Sequence, residues 1–586
     1  MMSETAPAIR EILSNNARLE VFGIAMGLPT RTIVALTIVC LPFLNAQTPV
    51  TTAHYDNFRT GANTSETVLT PANVNGAQFG WLARLPVKGC VFSQPLYMPQ
   101  VGSRNLVFIA TTLNNLYAYD ADNFTLQWSA NFGTPFDSTI PYNGTYVDFW
   151  DCTLDPNWTQ QGPIGIVGTP VIDAANQTMF LVANTMDGDP DNLQSHHFIH
   201  KISLLDGSDV IPPVEIAGSS GDIQFQSRYQ LNRSALLLLN GRIYIAFASH
   251  GDEPTYYGWM FSYDTDLNQV AVMNYAPAAG GAGIWQSGGG PASDGQYIYV
   301  STGNSAGIQG GDNAESVLQI DPGTLAVVAK LGFYPESEDW DYDNDLDLGS
   351  SRVLVAPGTN RVLAGSKFGD LFSINQNGMS LEVRQQAATR HSAGADWTGV
   401  YNGFAYWNKT IYLWPGGGGL IWPLLPPFPT DTLKAFALTP DYTAMTPLAQ
   451  GQSDGIGVGH QGADIVISAN GQNPSSGIVW AYTPIENTPG PQPGYLHAYS
   501  AADFSNNIFH ELWNNTQDDQ DSGCAYTKFN QPLIANGKVF LPTFQGRVIV
   551  YGILDQKALI ARANRTKSRQ KDVSGDPVFC SPLLLP

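Results

Sequence analysis

The sequence has few charges, few cysteines and no long hydrophobic run. Charged residues make up 13% of the 586, and 50 acidic against 28 basic residues give a net charge of −22. Because nucleic acids and anionic membrane surfaces would repel such a chain, neither is expected as a partner. None of the five cysteines forms a C-x-x-C pair, which excludes a zinc ribbon and a covalently attached c-type haem.

The apolar run over residues 33–44 is too short to span a bilayer, so no stable membrane insertion is expected. Arg31 precedes this run and a small residue follows it, which predicts a secretory signal peptide over residues 1–46, cut before Gln47. The polar residues ahead of Met26 are either a long n-region or a mis-assigned start, with translation beginning at Met26; we favour the second interpretation. The mature protein is expected outside the cell, or in the periplasm of a bacterium.

Sequons and cysteines agree with export. Four cysteines remain after signal removal, and a Cys152–Cys524 disulfide is one possible pairing that the sequence does not establish. Sequons of the type N-x-S/T, some of them expected by chance, predict a glycoprotein. They begin at Asn63, Asn123, Asn143, Asn157, Asn176, Asn232, Asn408, Asn514 and Asn564.

Glycine (58 residues) and proline (39 residues) are frequent, which suits many short strands joined by tight turns. One phrase recurs eight times: a β-rich run, a short break, then a strand that often ends near Asp. The copies are 106–110 with 116–120, 178–183 with 198–204, 242–248 with 259–264, 297–302 with 316–321, 362–366 with 370–375, 410–414 with 433–438, 477–482 with 494–499, and 538–542 with 546–551.

Eight like units of this length predict an all-β, eight-bladed β-propeller of four-stranded antiparallel blades over residues 47–554. A sandwich or two stacked barrels is the alternative. The last copy lacks an outer strand, and the segment 79–87 is expected to supply it and to close the ring. The basic tail, residues 555–586, is expected to be disordered.

The segment 283–304 carries a more specific pattern. Trp285 stands ahead of a glycine-rich turn, and the following strand ends in Thr-Gly-Asn304. This resembles the quinoprotein alcohol dehydrogenases, which are eight-bladed propellers that use pyrroloquinoline quinone. The start of the mature chain, His54 to Gly61, resembles a secreted and poorly characterised branch of that family.

The resemblance implies roles for residues of three successive blade junctions. Trp285 matches the tryptophan on which the quinone stacks, and Lys367 matches the cation beside the quinone oxygens. Glu253 and Asn304 match the ligands of a metal ion, calcium or a lanthanide, that also contacts the quinone. Each residue alone has an ordinary explanation in a core or a loop. The order in which the matches occur favours a quinone site.

Asp341 matches the base that takes the proton of the substrate hydroxyl, and Asp343 lies where lanthanide-dependent members carry an extra metal carboxylate. Both fall in a run of seven carboxylates over residues 336–347, a composition that is also typical of a solvated loop. Hard cations prefer such oxygen ligands. A Lewis acid beside the quinone would help it to accept hydride.

The sequence departs from the family at Cys152, which stands alone where many members carry two adjacent cysteines. Without a haem motif, electrons must pass to a separate acceptor. The resemblance therefore implies a secreted oxidoreductase that acts on a small alcohol or sugar. The alternative is a non-catalytic secreted propeller that binds a glycan or a protein partner.

Overall fold

The computed structural model describes residues 48–137, 162–188, 194–250, 256–305, 313–332, 348–388, 399–416, 431–451, 462–484, 494–517, 525–560 and 562. Two units are distinguished, residues 1–46 and 47–586, and the first lies outside the described residues. In its described residues the second is an all-β fold of eight large sheets, antiparallel apart from the short strand Ala62–Asn63, and two small ribbons. The eight-bladed propeller predicted from the repeat is confirmed.

Each blade has an inner, a second, a third and an outer strand. Blades 1 to 4 are Leu96–Val101, Arg104–Ala110, Asn115–Asp120 and Leu126–Asn131; Val171–Asp173, Thr178–Asp187, Gln194–Ser203 and Val214–Glu215; Leu237–Leu239, Arg242–Ser249, Trp259–Asp264 and Gln269–Asn274; Ala292–Ser293, Ile298–Ser301, Ser316–Ile320 and Val327–Gly332. Blades 5 to 8 are Leu354–Ala356, Arg361–Gly365, Asp370–Asn375 and Ser380–Gln386; Ala405–Trp407, Thr410–Leu413, Lys434–Leu438 and Met445–Gln450; Asp464–Ser468, Ile478–Pro484, Gly494–Ser500 and Glu511–Asn514; Leu533–Ala535, Lys538–Thr543, Arg547–Ile553 and Phe79–Pro86.

Short elements complete the described structure. Gln230–Leu231 adds to blade 3 and Ala62–Asn63 to blade 7, while Phe136–Asp137 with Pro163–Ile164 and Ser219–Ser220 with Ile223–Gln224 form small ribbons. The 3-10 turns are Ser227–Tyr229, Gln286–Gly288, Pro474–Ser476 and Ser505–Asn507. Residues 556–560 are helical, at the start of the basic tail. In the described part of the chain, no helix is long and apolar enough to cross a membrane.

Burial explains the strand pattern. The second strand Ile298–Ser301 is buried at every position, whereas the outer strand Val327–Gly332 alternates between partly buried and exposed residues. This difference arises because the inner strands of a blade lie between two neighbouring blades and the outer strand faces water on one side. Eight apolar clusters lie between successive blades, and one of them joins blade 8 to blade 1.

The outer strand of blade 8 comes from the other end of the chain. Phe79–Pro86 lies antiparallel to Arg547–Ile553, with Phe79 opposite Ile553 and Pro86 opposite Arg547. The strand that the last repeat lacks is thus supplied by the segment that the sequence pattern indicates. This pairing covers the edge that Arg547–Ile553 would otherwise expose.

Residues 50–63, the N-terminal segment, hydrogen-bond to the inner strands of all eight blades in chain order. Most of the bonds go to the second residue of the inner strand. From blade 1 to blade 8 they join Val50 to Tyr97, Thr51 to Ile172, Asn57 to Leu238, Asn57 to Ser293, Phe58 to Val355, Thr60 to Tyr406, Gly61 to Ile467 and Asn63 to Ile534. The segment therefore circles the propeller axis across the inner strands.

Arg59 anchors the N-terminal segment between blades 3 and 4. Its buried guanidinium donates to the carbonyl oxygens of Pro291 (2.9 Å) and Leu236 (3.0 Å). Within the segment it donates to Ala53 O (2.8 Å) and to Thr52 Oγ1 (2.6 Å). Burial lowers the pKa of Arg59 to about 10, with the nearby Asp56 carboxylate acting in the opposite direction.

We expect Arg59→Met to lower the free energy of unfolding by about 3 kcal/mol, because buried carbonyl oxygens lose their donor. Urea unfolding followed by tryptophan fluorescence measures the change. Arg104→Met, at an exposed position, serves as the control and should stay within about 0.5 kcal/mol of the parent. An equally small effect at Arg59 would contradict this role.

Candidate functional site

The chain that leads into each inner strand lines the propeller axis. Side chains two residues apart in an extended chain point the same way. Each inner strand has one residue that hydrogen-bonds to the N-terminal segment. The residues three positions before these eight contacts form one layer, and the residues five positions before them form a second layer. The first, the Asp464 layer, comprises Gln94, Thr169, Ala235, Gly290, Arg352, Gly403, Asp464 and Gln531. The second, the Arg233 layer, comprises Phe92, Val167, Arg233, Gly288, Ser350, Tyr401, Gly462 and Phe529.

The carboxylate of Asp464 is fully buried and accepts three hydrogen bonds. They come from Tyr526 Oη (2.8 Å), Gln531 Nε2 (3.2 Å) and the Asn530 backbone N–H (3.3 Å). Burial raises the pKa of Asp464 to about 7, while these hydrogen bonds and the charges of Arg233 and Arg352 act in the opposite direction.

Arg352 fills much of the same layer. Its guanidinium bonds the ring of His54 and the carbonyl oxygen of Phe404, and burial lowers its pKa to about 9. A Cβ atom at Gly403 would lie 2.7 Å from Arg352 Cγ, so a glycine is needed there to make room for the arginine. The arginine and its neighbours thereby occupy the middle of the axis.

Arg233 occupies the next layer and joins blade 3 to blades 2 and 8. Its Nη2 donates to Phe529 O of blade 8 at 2.6 Å, and its Nη1 donates to Val167 O of blade 2 at 3.3 Å. A Cβ atom at Gly288 would lie 2.4 Å from Nη1, so this position also requires glycine. The described hydrogen bonds of Arg233 go to carbonyl oxygens, and none goes to a carboxylate.

Trp285 lies at the end of the axis beyond Arg233. The Arg233 guanidinium carbon is 5.9 Å from the centroid of its indole ring. The ring of Phe529 meets the indole edge-on, at 5.4 Å and 83°. Trp285 is only partly buried, although it packs against an apolar cluster that includes Phe92 and Phe136. The indole is thus held from behind and from one edge.

The backbone that follows Trp285 is strained. Gln286 and Ser287 have positive φ values, 52° and 45°, which are costly for residues with a side chain. Ser287 Oγ bonds the carbonyl oxygens of Ser350 and Tyr401 and holds the turn in place. The buried side-chain amide of Gln286 has no hydrogen-bond partner among the described residues. Strain and an unsatisfied polar group beside a candidate stacking ring are typical of a binding site.

Asn304 is brought beside the segment that carries Trp285. The backbone N–H of Ala282 donates to Asn304 O at 2.9 Å, and that of Gly303 donates to Gly283 O at 2.9 Å. The side chain of Asn304 is buried, and its Oδ1 is 3.5 Å from the hydroxyl of Tyr256.

Lys367 is placed at the same end of the propeller, one blade further on. It follows the second strand of blade 5, Arg361–Gly365, as Asn304 follows the second strand of blade 4, Ile298–Ser301. Lys367 is buried, and its backbone packs against Gly399 at the start of blade 6.

Glu253, Asp341 and Asp343 lie outside the described residues, as does the lone Cys152. Within the described ranges, no group of three or more histidine, cysteine, aspartate or glutamate side chains is placed to hold a metal ion. The metal ligands therefore remain predictions. The described residues fit the quinone, with a partly buried tryptophan, an unsatisfied side-chain amide and a buried lysine at the same end.

Sequence reasoning missed Arg233, Arg352 and Asp464. The signal was present, because Arg233 and Arg352 stand within four residues of the start of an apolar inner strand and Asp464 is the first residue of one, and a charged residue is unusual in such a place. Alignment of the eight inner strands would have placed all three on the axis.

No protein-family model and no curated protein matches the sequence. Solved structures do match the fold. A quinohemoprotein alcohol dehydrogenase from Pseudomonas putida aligns with a TM-score of 0.55 and 12% identity, over 86% of this chain and 80% of that chain.

A europium-containing methanol dehydrogenase aligns with a TM-score of 0.52 and 12% identity, over 86% of this chain and 98% of that one. BamB from Moraxella catarrhalis is less similar, with a TM-score of 0.45 and 11% identity over 81% of this chain and 97% of that one. At these identities, the first two likenesses establish the propeller fold alone.

We expect Asp464→Asn to change how stability depends on pH. Because the folded pKa of about 7 lies above the unfolded value near 3.8, the folded protein binds the extra proton between these values. The contribution of Asp464 to the free energy of unfolding is thus complete at acid pH and is lost as the pH rises through 7. The free energy of unfolding of the parent minus that of the variant should therefore fall by a few kcal/mol from pH 4 to pH 7.

Urea unfolding of both proteins across this pH range measures the difference. Asp441→Asn is the control, because hydrogen bonds from Thr439 and Thr443 lower the pKa of the exposed Asp441 to about 2, outside the range. A parent-minus-variant difference at position 464 that is flat with pH would refute the assignment.

Proposed function

We propose that the chain is a quinone-dependent oxidoreductase that uses pyrroloquinoline quinone to oxidise a small alcohol or sugar. The observation that carries the proposal is Trp285, a partly exposed indole at the end of a filled axis. Arg233 lies behind the ring and Phe529 at its edge. Solved structures that share the fold include two alcohol dehydrogenases, which supports the same reaction class.

The residues of the chain would bind and orient. Trp285 offers a flat face for a planar ring, and its rigid support from Phe529 and Arg233 would fix the plane of that ring. Lys367 would sit beside the quinone oxygens, where a fixed positive charge stabilises the reduced form. The filled axis behind Trp285 would keep water from reaching the stacked ring from that side.

When bound, the quinone supplies the two-electron acceptor, and the chain supplies orientation and proton transfer. Asp341 would accept the hydroxyl proton of the substrate. Glu253, Asn304, Asp341 and Asp343 would hold calcium or a lanthanide ion. Electrons would then leave to a separate acceptor.

The first experiment adds pyrroloquinoline quinone to the purified protein with calcium or with lanthanum. Binding is followed by equilibrium dialysis, and turnover by dye reduction with a panel of alcohols and sugars. We expect binding of the quinone and reduction of the dye with at least one substrate. If the protein binds no quinone with either metal, the alternative of a non-catalytic propeller for a glycan or protein partner takes its place.

Asp341→Asn separates chemistry from binding. Loss of the general base should lower kcat by about 100-fold or more, while the dissociation constant of the quinone stays within about threefold of the parent value. Steady-state dye reduction and equilibrium dialysis measure the two quantities. Asp441→Asn, an exposed aspartate on blade 6, is the matched control. Full turnover in Asp341→Asn would show that another group is the base.

We also propose that the protein is exported. The disulfide at Cys90 supports an oxidising compartment, and the sequons at Asn123, Asn176 and Asn408 are exposed. By contrast, the side-chain amides of the sequon residues Asn63 and Asn232 are buried and hydrogen-bonded to backbone carbonyls. These two asparagines therefore stabilise the fold, and we do not expect them to carry a glycan.

Sequencing the N-terminus of the exported protein tests the signal peptide. We expect it to begin at Gln47, since cleavage there leaves the N-terminal segment from Val50 intact. A mature protein that keeps residues 1–46 would contradict the prediction.

A further inference from the structure

Three basic side chains are described at the end of the axis that carries Trp285, although the protein as a whole is acidic. The chain has 28 basic residues and a net charge of −22. Arg233 nevertheless lies behind the indole, and Lys528 Nζ lies 5.3 Å from the ring centroid of Phe529, which contacts the same indole. Lys367 lies at the same end, one blade away.

Among the described residues, no carboxylate hydrogen-bonds to Arg233. Its hydrogen bonds go to the carbonyl oxygens of Phe529 and Val167, and burial lowers its pKa to about 10, with Asp464 acting in the opposite direction. A buried guanidinium without an ion pair is costly. Asp464 belongs to the neighbouring layer, is shared with Arg352, and carries its own raised pKa. An anion held at Trp285 would compensate the remaining positive charge.

We infer that Arg233 makes the Trp285 site selective for a planar ring that carries negative charge. This inference rests on the proposed function and adds a specificity-determining residue to it. The indole would hold the ring by stacking, irrespective of charge. The guanidinium behind the indole would attract the carboxylates of the ligand through a water-poor interior, where charge interactions are strong.

The test compares pyrroloquinoline quinone, which carries three carboxylates, with its trimethyl ester, which has the same ring and none. Isothermal titration calorimetry in one calcium buffer gives both dissociation constants. We expect the parent protein to bind the acid at least about tenfold more tightly than the ester. Arg233→Gln should bring the two constants within about threefold of each other, chiefly by weakening the acid.

Two variants serve as controls. Arg233→Lys keeps the charge and should keep most of the preference. Arg84→Gln removes an arginine that also faces a tryptophan, Trp81, at 5.4 Å, but on the exposed outer strand of blade 8, and should change neither constant. Ester binding by Arg233→Gln reports whether the stacking site is still formed.

Equal binding of acid and ester by the parent protein would overturn the inference without reference to any variant, and so would an undiminished preference in Arg233→Gln. Either result leaves the proposed function standing, since the quinone still binds. If the parent binds neither compound, the proposed function fails and the inference fails with it.

Discussion

One hydrogen-bonded constraint orders the ring: residues 50–63 bond to the inner strand of every blade. The apolar clusters between blades supply most of the stabilisation, but apolar contact is non-directional and would tolerate sliding of one blade along another. A hydrogen bond at nearly the same position in each inner strand removes that freedom. It fixes the height of each blade along the axis, and with it the layers that Arg233 and Asp464 occupy.

Those layers explain how a narrow axis holds long charged side chains. Arginines project from blades 3 and 5, and glycines at 288 and 403 leave the space that the guanidinium groups fill. Size complementarity of this kind packs the segments of blades 3 to 6 closely against one another at the axis. It also gives Trp285 a rigid support, because packed side chains fill the axis behind the indole ring.

The repeat made the blades predictable because alternation of apolar and polar residues is local, and all eight repeated pairs fall on second and third strands. The strand Phe79–Pro86 could be found because the last repeat lacked an outer strand.

Trp285, Asn304 and Lys367 were predicted from the resemblance to a known family, and the structure places them at one end of the propeller. Arg233 and Asp464 were missed because a single repeat does not reveal them: their hydrogen-bond partners lie 62 or more positions away, and only an alignment of all eight inner strands shows that they share the axis. Glu253, Asp341 and Asp343 stay predictions.

The pairing of the chain's two ends has a consequence for its synthesis. The N-terminal segment emerges from the ribosome first, yet its partner Ile534 and the strand Arg547–Ile553 emerge about 470 residues later. Such contacts have very high sequence separation, which slows folding and leaves strand edges open in the meantime. The protein is therefore expected to mature only after translation ends, and to depend until then on whatever shields unfinished blades from one another.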